Sequence, residues 1–307
     1  MKLVFAGTPA FAVPSLEALA EKFDIAAVLT QPDKPQGRKG VLTPSPVKAA
    51  ALARGIPVLQ PEKLKADFSA LAAVRADLMV TCAYGQILTQ EVLDLFPLGV
   101  WNVHASLLPA YRGAAPIARA IIGGERETGV TIMKTDAGLD TGDMFLRGSL
   151  PVAEMDTCGT LTEKLSVLGA KLIVEAVARI ARGEVVLEKQ GEGSVCKKVA
   201  RTPVDFTRPA AEVSALIRGL SPAPLAYAVC GGLSVNCYNA CVVPLPEGAP
   251  AGMVVACSPK QGLIVACGEG AVRITELQPA GGKRMADTAF ANGGKLREGA
   301  RFDQPVL

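Results

Sequence analysis

The chain has 307 residues, enough for two ordinary domains or one large one. Half of it is hydrophobic, one fifth is charged and the net charge is +3, which excludes a disordered chain and a strongly basic nucleic-acid coat. A single histidine excludes multi-histidine metal sites, and eight cysteines, of which only Cys237 and Cys241 lie close, do not make a secreted disulfide framework.

Lys2 opens an uncharged stretch that runs to Glu17, but the apolar run Leu3-Val4-Phe5-Ala6 is too short for a signal-peptide core. Gly7-Thr8-Pro9 breaks it, so it reads as a buried first strand and a turn. Further short, β-rich apolar runs follow at Ile25–Thr30, Leu78–Ala83, Gly99–Val103 and Gly129–Met133. Between them Pro14–Lys22, Pro46–Arg54, Gln90–Leu95 and Ala114–Ile121 have helical composition or spacing. This alternation predicts an α/β domain over 1–188 with a doubly wound, mainly parallel sheet. Its last helix carries an apolar stripe of Leu161, Leu165, Leu168, Leu172, Ala176 and Ile180, with a capping box expected at Thr160 and Glu163.

After Glu188 the texture changes. Residues 189–207 read as a linker, polar and glycine-rich through Gln190-Gly191-Glu192-Gly193-Ser194. Residues 208–307 read as a second domain, with a helix at Ala210–Leu220 and strand-like runs at Leu225–Cys230, Leu233–Tyr238, Gly252–Ala256, Gly262–Cys267 and Ala271–Leu277. Five short strands after a helix predict a small OB-like β-barrel. The uncharged stretch from Gly219 to Pro246 is long enough for a bilayer, but its prolines, Gly231-Gly232 and asparagines belong to turns. We therefore expect a soluble cytoplasmic protein with no membrane segment. Residues 1–188 hold 19 basic and 20 acidic side chains (net −1), and 189–307 hold 13 and 9 (net +4). A mildly basic barrel suits an accessory grip on nucleic acid.

Asn102-Val103-His104 ends a strand-like run. Residues i and i+2 of a strand share a face, roughly 6.5 Å apart, so an amide donor and an imidazole look into one space. In open α/β sheets ligands bind at the carboxyl ends of strands. The competing reading is a hydrogen-bonded core histidine. The second element, Thr135-Asp136-Ala137-Gly138-Leu139-Asp140-Thr141-Gly142-Asp143, holds carboxylates on a tight loop. It also reads as a surface Asx turn, and as an aspartic-protease signature only in a dimer, since Asp-Thr-Gly occurs once. The first turn has Gly7 alone rather than the three glycines of a nicotinamide-binding fingerprint.

Several runs, in order, resemble one known family. They are Gly7-Thr8-Pro9 with Phe11, Gln31-Pro32-Asp33-Lys34-Pro35 through Gly37-Arg38, Pro44-Ser45-Pro46-Val47-Lys48 and Ala83-Tyr84-Gly85. Asn102-Val103-His104 with Ser106-Leu107-Leu108-Pro109, Tyr111-Arg112-Gly113-Ala114-Ala115-Pro116-Ile117 and Gly138-Leu139-Asp140-Thr141-Gly142-Asp143 complete the set. Together they are similar to the methionyl-tRNA formyltransferases, which use 10-formyltetrahydrofolate. Glycinamide ribonucleotide formyltransferases share the Asn, His and Asp elements, whereas the Pro-Ser-Pro-Val-Lys and Arg-Gly-Ala-Ala-Pro-Ile runs point to the tRNA enzymes.

The resemblance implies transfer of a formyl group from 10-formyltetrahydrofolate, as co-substrate, to the α-amino group of methionine on initiator tRNA. It implies catalysis by Asn102, His104 and Asp140 without a metal. Ser106, Leu107, Leu108 and Pro109 would line the folate, with Tyr84, Gly85 and Ile87 near its pterin ring, although Leu107 and Leu108 equally suit a core. Lys34, Arg38 and Lys39, in a loop over 33–41, would contact the tRNA, or simply face solvent. We expect a monomer.

The C-terminal half departs from the family. Val195-Cys196-Lys197-Lys198 stands where a Tyr-Ala-x-Lys run is usual, Asp205-Phe206 where an Asp-Trp pair is usual, and Ser221-Pro222-Ala223-Pro224 replaces an Asn-Pro-Trp-Pro-like element. Cys230, Cys237, Cys241, Cys257 and Cys267 are spaced too irregularly for zinc and read as small hydrophobes in strands. The alternatives are a formyltransferase-fold enzyme acting on a purine precursor or sugar nucleotide, and a non-catalytic RNA-binding relative.

Overall fold

The apolar runs of the first half become the inner strands of a seven-stranded sheet in the computed structural model, which describes residues 1–37, 40–244 and 248–305. The strand order is Met144–Pro151, Glu127–Lys134, Val100–His104, Leu78–Cys82, Lys2–Gly7, Asp24–Leu29, Val58–Leu59. Five of these strands are parallel in sequence along the sheet, and Val100–His104 meets Glu127–Lys134 antiparallel. Leu3, Val4, Phe5, Leu78, Met79 and Val80 are wholly buried, because a parallel sheet is covered on both faces and needs continuous apolar runs.

Two strands of this sheet lie beyond the sequence reading. Val58–Leu59 is only two residues long. Met144–Pro151 is an edge strand whose outward positions are half-exposed or exposed, so it shows no apolar run. Helix starts follow local chemistry: Pro46–Ala53 has Ser45 as its cap, accepting from the Lys48 N–H at 3.0 Å, with Pro46 at the first helical turn.

The long helix starts earlier than expected, at Cys158, and runs to Ala181. The capping box is one turn upstream of its predicted place. The Thr160 N–H donates to Thr157 Oγ1 at 3.2 Å, and the Thr157 N–H donates to Thr160 Oγ1 at 3.0 Å. A threonine hydroxyl at the third position thus does what a glutamate does in the usual box, and Thr160 is the inner partner rather than the cap. Leu161, Leu165, Ala176 and Ile180 are buried as the stripe predicts, while Leu168 and Leu172 lie over Gly148.

The chain divides into two compact units, 1–113 with 129–150 and 162–196, and 114–128 with 151–161 and 197–307. The second unit contains the sheet Thr202–Pro203, Ala226–Cys230, Leu233–Val243, Ala271–Pro279, Gly262–Ala266, Val254–Ser258, with Met285–Ala286 beside Ala271–Pro279. All its pairings are antiparallel except the first. The C-terminal segment bridges the strands Val254–Ser258 and Ala226–Cys230: Val254 N–H donates to Ala300 O at 2.8 Å and Asp303 N–H to Val229 O at 2.7 Å. Helix Ala210–Gly219 covers it, its Ser214 hydroxyl donating to Ala240 O at 2.8 Å. Helix Pro116–Ile122 packs in this unit too, with Ala118 and Ile122 against Gly219.

Cys230, Cys237 and Cys267 sit in the barrel core, as expected of small apolar residues, while Cys241 and Cys257 are half-buried. Burial pushes the Cys237 and Cys267 thiols up to about 12. Thr157→Ala should lower stability by about 0.5–2 kcal/mol. Glu163→Ala, at the residue expected from sequence to complete the cap, should stay within about 0.5 kcal/mol of wild type, both variants being measured by urea melts.

Candidate active site

Asn102 and His104 lie on one face of the strand Val100–His104, as the alternation requires, while Trp101 and Val103 point into the packed layer opposite. Asn102 is set by its neighbours. Thr81, its register partner on Leu78–Cys82, donates to Asn102 Oδ1 at 2.9 Å, and Asn102 Nδ2 donates to Asp140 Oδ1 at 3.2 Å. One of the two amide hydrogens is thereby used.

His104 is 5 % exposed. Its Nε2 lies 3.0 Å from the Tyr111 carbonyl oxygen, an acceptor only, so Nε2 carries the proton and donates. Nδ1 then faces Asp140 Oδ2 at 3.5 Å, farther than a direct hydrogen bond. The Asn102 amide, the Nδ1 edge of His104 and the Asp140 carboxylate thus come together at one point.

The Asp140 loop needs several devices to stand. Asp136 ties it, accepting from the Gly138 N–H at 3.0 Å and the Thr141 hydroxyl at 2.9 Å. Asp140 itself takes a left-handed backbone, φ +52°. A Cβ at position 142 would fall on the Lys134 carbonyl oxygen, which only glycine avoids. The carboxylate is further anchored by the Gly113 N–H, donating to Oδ2 at 2.9 Å, and Gly113 reaches it from a backbone at φ +106°.

Three residues of the segment read as a linker belong to this site. Gln190 Nε2 donates to the carbonyls of Asp140 at 2.9 Å and Gly142 at 2.7 Å, and Gln190 Oε1 accepts from Arg112 Nε at 2.8 Å. Ser194 Oγ accepts from the Tyr111 N–H at 2.8 Å, and Cys196 Sγ donates to Tyr111 O at 3.5 Å. Val195–Cys196 pairs in parallel with Arg112–Gly113. A glycine-rich polar run gives no sign of such contacts; Thr81, also not singled out from sequence, is marked only as the polar residue within the apolar strand Leu78–Cys82.

The turn after His104 is built mostly by residues that face inward. The Ser106 hydroxyl is fully buried and donates to Ala110 O at 2.6 Å. Thr131 Oγ1 donates to Ser106 O at 2.7 Å and accepts from the Leu108 N–H at 3.1 Å. Leu108 packs with Met133 and Met144, the core alternative weighed from sequence, while Leu107 and Pro109 are half-buried. Tyr84 is likewise a core residue, its ring among Leu64, Leu71 and Val92 and its phenol pushed up to about 12 by burial. Its carbonyl accepts from Thr8 Oγ1 and Gln31 Nε2. Gly85 takes φ +85°, and Ile87 is 79 % exposed.

Lys34 is exposed on a hairpin of Lys34–Gln36 and Val41–Thr43, where Val41 and Leu42 are exposed as well. Arg38 and Lys39 lie outside the described residues. Below the hairpin, Lys48 Nζ donates to Asp33 Oδ2 and Gln60 Oε1, each at 2.7 Å, and Gln60 Nε2 donates to Asp33 Oδ1 at 2.8 Å. The Lys48 hydrogen bond, followed by that of Gln60, holds the Asp33 carboxyl below its usual range. No cluster of three His, Cys, Asp or Glu side chains suited to a metal occurs among the described residues, and none of their helices is long and apolar enough to cross a membrane.

Residues 1–177 match the domain family described as formyl transferase, and residues 197–295 match formyl transferase, C-terminal domain. The chain is similar to the methionyl-tRNA formyltransferase of Janthinobacterium sp. (strain Marseille), 45% identical with 97% of this chain and 99% of that one covered. The enzyme of that name from Xanthomonas axonopodis pv. citri is 44% identical over the whole of both chains, and that from Chromobacterium violaceum 47% identical over 98% and 99%. Among solved structures, an N-formyltransferase from Helicobacter canadensis, in complex with folinic acid and dTDP-3-aminofucose, aligns with TM-score 0.68 at 19% identity, over 89% of this chain and 98% of that one. HypX from Aquifex aeolicus, in complex with tetrahydrofolic acid, aligns with TM-score 0.62 at 18% identity, over 94% of this chain and 46% of that one. These two likenesses show the fold.

Gly142→Ala should displace the Asp140 loop and cost about 1–3 kcal/mol, as overpacking against fixed backbone does. Paired thermal and urea melts of wild type and variant measure it.

Proposed function

This chain belongs to the formyl transferase family, and from that membership we propose that it moves a formyl group from 10-formyltetrahydrofolate to the α-amino group of methionine on initiator tRNA. One observation carries the reading: an amide donor, an imidazole nitrogen and a carboxylate converge at the carboxyl end of the Val100–His104 strand. The tRNA-borne acceptor, rather than another amine, is supported by relatives named for it that match at 44–47% identity over nearly the full length.

The chemistry follows from the side chains. The methionine amine attacks the formyl carbon, and the carbonyl oxygen takes negative charge as a tetrahedral centre forms. Asn102 has one amide hydrogen left after Asp140, and we assign it to that oxyanion. His104, with Nε2–H held by Tyr111, offers Nδ1. The neutral ring accepts the amine's proton there; the protonated ring donates to the oxyanion or returns the proton to N10 of the folate as the C–N10 bond breaks. The Asp140 carboxylate stabilises the imidazolium and holds the Asn102 amide in place.

For the folate we keep Ser106, Leu107, Leu108 and Pro109 as the wall, with Ser106 and Leu108 acting through the backbone they shape. Gly85 would allow close approach of a flat ring, and Ile87 offers an exposed apolar surface beside it. Lys34, Arg38 and Lys39 serve the tRNA acceptor, together with the mildly basic C-terminal half.

Purified protein supplied with 10-formyltetrahydrofolate and methionine-charged initiator tRNA should produce formylmethionyl-tRNA, followed by chromatography of the released amino acid. Asn102→Ala should lower kcat by about 100- to 1,000-fold, equivalent to about 2.7–4 kcal/mol. His104→Ala should lower it by about 100- to 10,000-fold. Folate binding without formylation of this tRNA would move the assignment to another amine acceptor. In the same assay Arg38→Ala should raise KM for the tRNA and leave KM for the folate unchanged; equal effects on both would remove the loop from tRNA recognition.

A further inference from the structure

We propose that Gln190 is a positioning residue for formyl transfer: gripped by Arg112, its amide sets the backbone of Asp140 and so the carboxylate that His104 faces. The inference rests on the proposed transfer for its kinetic readout. Gln190 spends its whole amide on this task. Both hydrogens go to the carbonyls of Asp140 and Gly142, at 2.9 and 2.7 Å, and its oxygen takes Arg112 Nε at 2.8 Å. Arg112 adds a second grip through Nη2, which donates to Gly191 O at 2.9 Å.

These bonds close a ring. Gly113, the residue after Arg112, donates its N–H to Asp140 Oδ2, so residues 112–113 hold the carboxylate directly and its backbone through Gln190. Tyr111, the residue before Arg112, supplies the carbonyl that orients His104. Three consecutive residues therefore set both partners of the 3.5 Å His104–Asp140 pair, and Gln190 ties the Asp140 side of that pair to them. Asp140 has reason to need the tie, since its φ of +52° is a conformation that an L residue leaves readily when unrestrained.

The rival role for Gln190 is to anchor its own segment to Arg112 without bearing on Asp140. Gln190→Glu separates the two. It keeps an acceptor for Arg112, and strengthens it by charge, but replaces two donors with a carboxylate facing two carbonyl oxygens. An anchor would survive this change; a positioning residue would not. The imidazole of His104 provides a second readout, because it is the single histidine of the chain and its ring nitrogens give the only imidazole signals in a ¹⁵N spectrum.

The experiment measures kcat and both KM values for wild type, Gln190→Ala and Gln190→Glu, alongside ¹⁵N spectra of the same proteins without substrate. Should the alanine variant unfold, Gln190→Met, of similar length and unable to hydrogen-bond, takes its place. We expect kcat to fall on the order of 10- to 100-fold in both variants, as sub-ångström to ångström displacements of catalytic groups produce, with KM values within about twofold of wild type. The glutamate variant should be no better than the alanine one, and the imidazole signals should move in both. Wild-type kcat in Gln190→Glu, or imidazole signals that stay in place, would overturn the proposal. A wild type that formylates no methionyl-tRNA, while the imidazole signals move in both variants, would sink the proposed acceptor and leave the positioning role standing.

Discussion

Asp140 carries a carboxylate into surroundings that leave its side chain 18% exposed, and three groups from one distant stretch of chain, 102–113, converge on it. Asn102 and His104 come from the end of a central strand, and Gly113 from the turn after it. A charge so placed needs partners for its lone pairs, because the water it loses is not otherwise replaced. The same partners make the site, and Thr81 and Tyr111 orient the Asn102 and His104 side chains toward Asp140. The loop's other features serve this placement: the Asp136 ties, the bare Cα at Gly142 and the left-handed backbone of Asp140.

The turn that follows His104 shows how a core can shape a ligand surface without exposing its side chains. Ser106 and Leu108 point inward, to Ala110 and to the Met133–Met144 cluster, and Thr131 fastens both their backbones. What such a turn offers a ligand is its peptide groups and the half-buried Leu107 and Pro109. A substitution at Leu108 therefore acts on the shape of the turn, through the lost apolar packing, and not on a direct contact.

The second unit meets its unusual residues with ordinary packing. Phe206, standing where the family resemblance leads one to expect tryptophan, is buried with its ring centroid 5.2 Å from that of Phe302. Phe302 belongs to the C-terminal segment that bridges Val254–Ser258 and Ala226–Cys230, its N–H donating to Gly252 O at 2.8 Å. The smaller ring is thus backed by a second aromatic, and the core closes around the pair. Asp287, 2% exposed, is satisfied in the same unit by Arg273 Nε at 2.7 Å and the Leu263 N–H at 3.1 Å.

What could be read in advance is what repeats along an element or is confined by it. Continuous apolar runs marked the covered strands, and the i, i+2 spacing of Asn102 and His104 put both on one face before any contact was visible. The Met144–Pro151 edge escaped because half-exposed positions erase the pattern. The helix start shifted because two threonines can cap each other as well as a threonine and a glutamate can. Gln190 escaped for a deeper reason. A polar, glycine-rich run has the same composition whether its amides meet water or meet carbonyls across the fold, since both satisfy the same donors. Long-range hydrogen bonds between a side chain and a distant backbone leave no local signature, and here they are what joins the Asp140 loop to the turn that orients His104.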